Sequence, residues 1–451
     1  MTKTKILKHN KADLVIHAGL VLPDANSQAL HKHAIVVHNG KISSIAPSDS
    51  IEAGSAHSEL HYPDQLLMPG LINSHTHTPM TLLKGFADDL PLNTWLEQHV
   101  WPIEGAMMSE EFVRDGCDLA IAEMLRSGTT CFSDMYFYPN VIAECARKAG
   151  IRATIGLPIL EFPSAWAEDA DGYINKGLAL ADELQHEPLL QTVLAPHSVY
   201  TVAPPTLKRV ATLSDELDKK VHIHLQENAD EVANCVAECG QRPMQVLQDA
   251  GLINPHLIAV HMTEVNDDEL KTLAKRNANV VHCPESNHKL ASGICPTQKM
   301  SELGINVSLG TDGSASNNDL NMFGEMRSAA FTAKTQQRNA SAGTAEQVLN
   351  MATSNGAKTL GLQDICGQLK KGLSADIISV DVNSIEAAPL HNPVSYLVYA
   401  AAREAVQNVW VTGKQLLRER KLLTLDEAAL IDKGKHWAEK IKQHQAQQEN
   451  T

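Results

Sequence analysis

Eight short apolar runs recur through the middle of this chain, each followed by a helix-like stretch, and this alternation constrains the fold more than any other feature. In order they read LLMPGLINSHTHT, GTTCFSDM, RATIGLPIL, LLQTVLAPHSVY, KKVHIHLQE, LIAVHMTEV, ANVVHCPESN and NVSLGTDG. Strands alternating with helices build βα units around a parallel sheet. Eight such units are the number that closes a (β/α)8 barrel, so the expected class is α/β with a TIM barrel at its centre. His, Asp, Glu and Asn gather at the C-terminal ends of these runs, where the βα loops of a barrel meet and where barrel enzymes place their chemistry.

The two ends of the chain read differently. ADLVIHAGLVLP and HAIVVHNGKISSIAP near the start, and GLSADIISVDV and VQNVWVTGKQLL near the finish, alternate with period two and are joined by Asn-Gly and Gly-rich turns. They are expected to pair into one small β-sandwich. The expected division is residues 1–66 for the N-terminal part of the sandwich, 67–365 for the barrel and 366–424 for the C-terminal part, with 425–451 a helix fraying into a disordered tail.

With 451 residues, 43% of them hydrophobic, the chain can bury a large core. The formal charge of −15, without a Lys/Arg-rich block, argues against a nucleic acid partner. The basic start, MTKTKILKHNKADLVIHAGL, holds no apolar stretch long enough for a signal peptide, and no run reaches a membrane span. Eight cysteines scattered without a framework fit a reducing compartment, so a cytoplasmic protein is expected. Cys235 and Cys239, four apart on a helix-like stretch, lack a partner pair at finger spacing and read as thiols.

His75 and His77 close the first run, and in extended backbone residues i and i+2 project to one face, where two imidazoles can converge on an ion. His224, with Glu227 three residues on, and Asp312 bring a third imidazole and a carboxylate to the same mouth. Three histidines and one aspartate leave a position for water on a divalent ion. His222 shares a strand face with His224; the latter is favoured because it lies nearer the C-terminal end, which leaves His222 a polar or packing position.

The segments PGLINSHTHTPM, HIHLQE, HMTEV, VVHCPESNHKLASGI and SLGTDGSASNN, in this order, resemble the amidohydrolase superfamily, and within it are similar to the methylthioadenosine/S-adenosylhomocysteine deaminases, from about Ala12 to Leu423. The resemblance implies hydrolytic deamination at purine C6 and a single zinc or iron ion, zinc favoured, on His75, His77, His224 and Asp312, with no organic cofactor. The fourth run, LAPHSVY, lacks the lysine that bridges two metals in binuclear members. Glu227 would take a proton from water activated on the ion and pass it to N1. His261 would hydrogen-bond the developing oxygen, and Asp312 would accept the second proton. Glu104, in WPIEGAMM, matches a glutamate that grips the ribose diol, and His197 matches a histidine that contacts the nucleoside. Trp95 would wall the 5' substituent, although ordinary packing of an amphipathic helix explains it nearly as well. Asn287 and His288 receive no role. A homo-oligomer, dimer or tetramer, is also implied.

One departure bears on substrate. Members acting on S-adenosylhomocysteine are expected to carry an arginine after the third barrel strand for its carboxylate, whose planar fork suits that group. RATIGLPILEFPSAWAEDADGYINK contains only Arg152, at the strand's start. The expectation is therefore 5'-methylthioadenosine, with S-adenosylhomocysteine, adenosine, or the substrate of another aromatic deaminase or chlorohydrolase of the superfamily as alternatives. A nucleoside-binding metalloprotein without catalysis is the reading from a different class.

Overall fold

The computed structural model describes residues 11–449. Residues 1–10 and 450–451, to which the sequence reading assigned the basic start of the sandwich and the end of the tail, lie outside them. The chain enters through β1 (Ala12–Val21), β2 (Leu30–His38), β3 (Lys41–Pro47) and β4 (Ala56–Pro69). The first three form an antiparallel meander, and β4 returns to pair parallel with β1.

The eight apolar runs then become the strands β5 (Leu71–Thr76), β6 (Thr129–Asp134), β7 (Arg152–Ile159), β8 (Leu190–Pro196), β9 (Val221–Leu225), β10 (Leu257–His261), β11 (Asn279–His282) and β12 (Asn306–Leu309). They pair in parallel in chain order. Every residue of β5, β6 and β7 is buried, which explains why these strands read as continuous apolar runs: helices cover one face and barrel-filling side chains the other. The last strand meets the first where the Asp312 amide donates to the His75 carbonyl at 3.0 Å. Gly310 permits that approach, because a Cβ there would lie 2.8 Å from the backbone N and O of His75.

The chain ends with β13 (Ile377–Asp381), β14 (Val406–Val411), β15 (Lys414–Arg418) and β16 (Lys421–Leu422). β13 pairs with β4, so both chain ends share one mixed sheet of eight strands among the described residues. This lobe has its own core, in which Ile16, Ile35, Leu67, Ile377 and Trp410 meet. The main core lies between the barrel and its helices and continues under the lobe.

Arg152, at the start of β7, is buried and donates through Nε to Asp376 at 2.9 Å, just before β13. The only arginine of that segment therefore ties barrel to lobe. The segment from residue 425 is helical as expected, and within the described residues it docks instead of fraying. It forms a helix, Glu427–Glu449, anchored on the helix Glu110–Arg126 by Trp437, which is 1% exposed, stacks edge-on against Phe112 and donates to Asp115 at 3.0 Å. The Lys- and Gln-rich composition belongs to the solvent face and hides that apolar stripe. Among the described residues no helix is long and apolar enough to cross a membrane.

Candidate active site

At the C-terminal ends of the barrel strands the imidazoles of His75, His77, His224 and His261 crowd around the Asp312 carboxylate. One oxygen, Oδ1, lies 3.3 Å from His75 Nε2 and 3.2 Å from His77 Nε2, and His77 Nε2 lies 3.3 Å from His224 Nε2. The ligating atoms of His75, His224, His261 and Asp312 all fall within 4.8 Å of one another.

The far side of each ring is fixed. His77 Nδ1 lies 2.5 Å from the Met135 carbonyl, His224 Nδ1 2.9 Å from the His197 carbonyl and His75 Nδ1 2.9 Å from His222 Nε2. His261 Nδ1 meets the Asn287 side-chain oxygen at 2.9 Å. Such outer partners set the tautomer that leaves Nε2 facing inward. His75 Nε2 is fully buried and finds no hydrogen bond of proper geometry, although Asp312 is close. A buried polar atom without a partner is costly, and a divalent cation at the centre satisfies it. The donor set fits such an ion.

Electrostatics agree with that fit. Burial pulls the His75 imidazole down to about 4 and holds His224 well below the usual range, so these rings are neutral as a metal requires, and it pulls His197, on the cavity wall, down to about 3. Burial opposes charge on His77 too, but Asp312 and the Met135 carbonyl outweigh it and lift that ring to about 9, which a bound cation would reverse.

The second Asp312 oxygen, Oδ2, accepts from Ser286 Oγ at 2.6 Å and Ser316 Oγ at 2.8 Å. Neither serine was singled out in the sequence, nor was Tyr136, whose hydroxyl donates to Glu104. His222 and Asn287, left without a role, turn out to hold His75 and His261. His288 is partly exposed, beside Thr332 at 2.9 Å. Two of the converging residues sit in left-handed backbone, His261 at φ 73° and Asp312 at φ 60°, a conformation that costs a non-glycine residue and that re-aims a side chain at a strand end.

Glu227, in the loop after β9, faces the same centre with Oε1 3.9 Å from His261 Nε2. Burial raises its carboxyl above the ordinary range. Its backbone is pinned by Glu231, which accepts from the Glu227 and Gln226 amides at 2.7 and 3.0 Å. Above the cluster opens a cavity of 520 Å³. Glu104, on the helix Trp101–Met107, lines it, and burial lifts its carboxyl to about 7 although Tyr136 opposes the shift. His197 and Trp95 line it too, and Trp95 is at the same time 4% exposed and packed in the main core. The rest of the wall is mainly apolar, with Leu96, Trp101, Met108, Phe137, Leu160 and Phe162 beside the hydroxyls of Ser164, Tyr200 and Thr201; among the described residues no Lys or Arg lines it.

Comparison with known proteins follows this geometry. Residues 66–416 match the amidohydrolase family. The chain is 47% identical to the 5-methylthioadenosine/S-adenosylhomocysteine deaminase of Teredinibacter turnerae, covering 95% of this chain and 98% of that one. It is 45% identical to the protein of the same name in Saccharophagus degradans, over 96% and 98%. Among solved structures, an adenosine deaminase from Xanthomonas campestris with bound zinc superposes with a TM-score of 0.94 at 46% identity, over 96% of this chain and 99% of that one.

Proposed function

We propose, for a chain that belongs to the amidohydrolase family and to its methylthioadenosine/S-adenosylhomocysteine deaminases, that the substrate is 5'-methylthioadenosine, hydrolysed to 5'-methylthioinosine and ammonia. The observation that carries this choice is the cavity wall, which is mainly aromatic and aliphatic and has no Lys or Arg among the described residues. A methylthio group gains from such a wall, whereas the carboxylate of a homocysteine tail would be desolvated there without a counter-charge. Arg152, the one candidate in the third-strand segment, is already engaged with Asp376. Adenosine is the second reading, favoured by the likeness to the Xanthomonas protein.

The holders we assign to the metal are His75, His77, His224 and Asp312, one ion per subunit, zinc rather than iron. When bound, the ion supplies a water of lowered pKa and so a nucleophile at neutral pH. His261, held by Asn287 on one nitrogen, keeps the other free to hydrogen-bond the oxygen that develops at C6. Glu227, raised by burial, takes one water proton and delivers it to N1, which makes C6 more electrophilic. Asp312 accepts the second proton and passes it to the 6-amino group, which leaves as ammonia while the C6–N bond breaks and the carbonyl forms. Glu104 accepts from the two ribose hydroxyls, His197 contacts the nucleoside and Trp95 lies against its 5' end.

Ammonia release from methylthioadenosine by the zinc-loaded protein tests the assignment. Glu104→Gln is expected to lower kcat/KM for nucleosides by about 10- to 100-fold, the worth of hydrogen bonds to a charged group, while barely changing the rate on a free base. Equal loss on both would favour a substrate without ribose. The eight free cysteines, seven of them buried, support a reducing, cytoplasmic setting. A homodimer or larger assembly is the proposed solution state, checked by sedimentation at micromolar concentration.

A further inference from the structure

On the sheet lobe, away from the barrel, a second group of metal-binding side chains meets. We propose that His17, Glu59 and His61 form a site for a divalent transition-metal ion of the zinc class, separate from the barrel centre. His17 on β1 and His61 on β4 are directly paired neighbours in parallel strands, and Glu59 lies two residues before His61, on the same face by the period of two. The two imidazoles are stacked with centroids 4.4 Å apart and planes 8° from parallel, so their Nε2 lone pairs run side by side and the exposed His61 ring has to turn for both to reach one ion. Both Nε2 atoms approach one oxygen, Glu59 Oε1, at 3.0 Å from His17 and 3.7 Å from His61. The three ligating atoms lie within 4.8 Å of one another.

Zinc with bonds of about 2.0–2.1 Å in a tetrahedron separates its ligand atoms by roughly 3.3 Å, and the two nitrogen–oxygen spacings of 3.0 and 3.7 Å bracket that separation, leaving the rotation of His61 as the main adjustment. The neighbour of His17 on β2 is Ala34, whose small side chain leaves the imidazole room. His17 is 10% exposed at its side chain, Glu59 29% and His61 63%, so the site has a fixed buried ligand, two adjustable ones and an open corner towards solvent for water. The ion would replace the proton shared between His17 and Glu59 and tie β1 to β4, the one parallel pairing in the lobe sheet.

The test is the zinc content of the holoenzyme, its barrel site filled, after equilibrium dialysis against micromolar zinc. Wild type is expected to hold two ions per chain; Glu59→Gln and His61→Ala, both exposed positions that leave the lobe core intact, to hold one with unchanged ammonia release. His57→Ala, one step further along β4, should keep two. Added zinc should also raise the Tm of the wild-type holoenzyme and not that of His61→Ala. One ion in wild type, or two in both ligand variants, would overturn the site.

Discussion

The floor and the walls of the barrel mouth are built on opposite principles. On the floor each ring nitrogen turned away from the centre has a partner, as does one Asp312 oxygen: His77 on Met135, His224 on His197, His75 on His222, His261 on Asn287, and Asp312 on Ser286 and Ser316. The walls offer mostly carbon, with Trp95, Leu96, Phe137 and Phe162, beside Glu104, His197 and a few hydroxyls. A hydrogen-bonded floor fixes geometry to fractions of an ångström, which bond-making at C6 requires. An apolar wall sets affinity through area and discriminates mainly by what it refuses, an unpaired charge above all. Reaction type therefore resides below and substrate choice above, and the two should separate under mutation.

The sharpest break is expected at Glu227. Glu227→Gln keeps the shape and removes the proton carrier, and kcat should fall by about 10²–10⁴-fold with metal content unchanged, as read by ammonia release beside metal analysis. Loss of metal in that variant would instead make Glu227 a ligand. Next comes Ser286→Ala, which deletes one of the two hydroxyls on Asp312. Metal affinity should drop by about 10–100-fold, measured by competition with a chelator, while the ratio of rates among nucleosides stays constant. A shift in that ratio would show that floor and walls are coupled.

How much of this division could be read beforehand differs between the two regions. The floor was legible because strand ends carry a signal: each of His75, His77, His224, His261 and Asp312 follows an apolar run, and all five converge. Their supports were not, because Ser286, Asn287 and Ser316 lie on helices of four to six residues after β11 and β12, Pro284–Lys289 and Ser314–Asn317, too short for a periodic signature, and their partners are a strand away. His222 is the buried polar position it was read as, but its partner was hidden for a related reason. Strand periodicity put it on the same face as His224 but could not say that it would hydrogen-bond to His75 across the barrel interior. The walls were legible only as composition. Trp95 could be read as packing or as lining, and it does both. The closing helix was expected but its docking was not, because its one apolar stripe, Leu430, Trp437 and Ile441, is diluted by charge.

The smallest expected effect probes the wall. Trp95→Ala removes part of an aromatic surface worth roughly 1–3 kcal/mol when fully covered, so KM for methylthioadenosine should rise several-fold while KM for adenosine, which lacks the thioether, changes less. Equal changes on both would assign Trp95 to packing alone.

The most direct test of the account is kcat/KM of the zinc-loaded protein for methylthioadenosine beside S-adenosylhomocysteine, followed by the fall in absorbance as the 6-amino purine becomes the 6-oxo form. A wall without Lys or Arg predicts methylthioadenosine turned over at least tenfold faster, about 1.4 kcal/mol of discrimination. Equal rates on the two would contradict it, and would mean that the carboxylate reaches solvent or a counter-charge beyond the cavity.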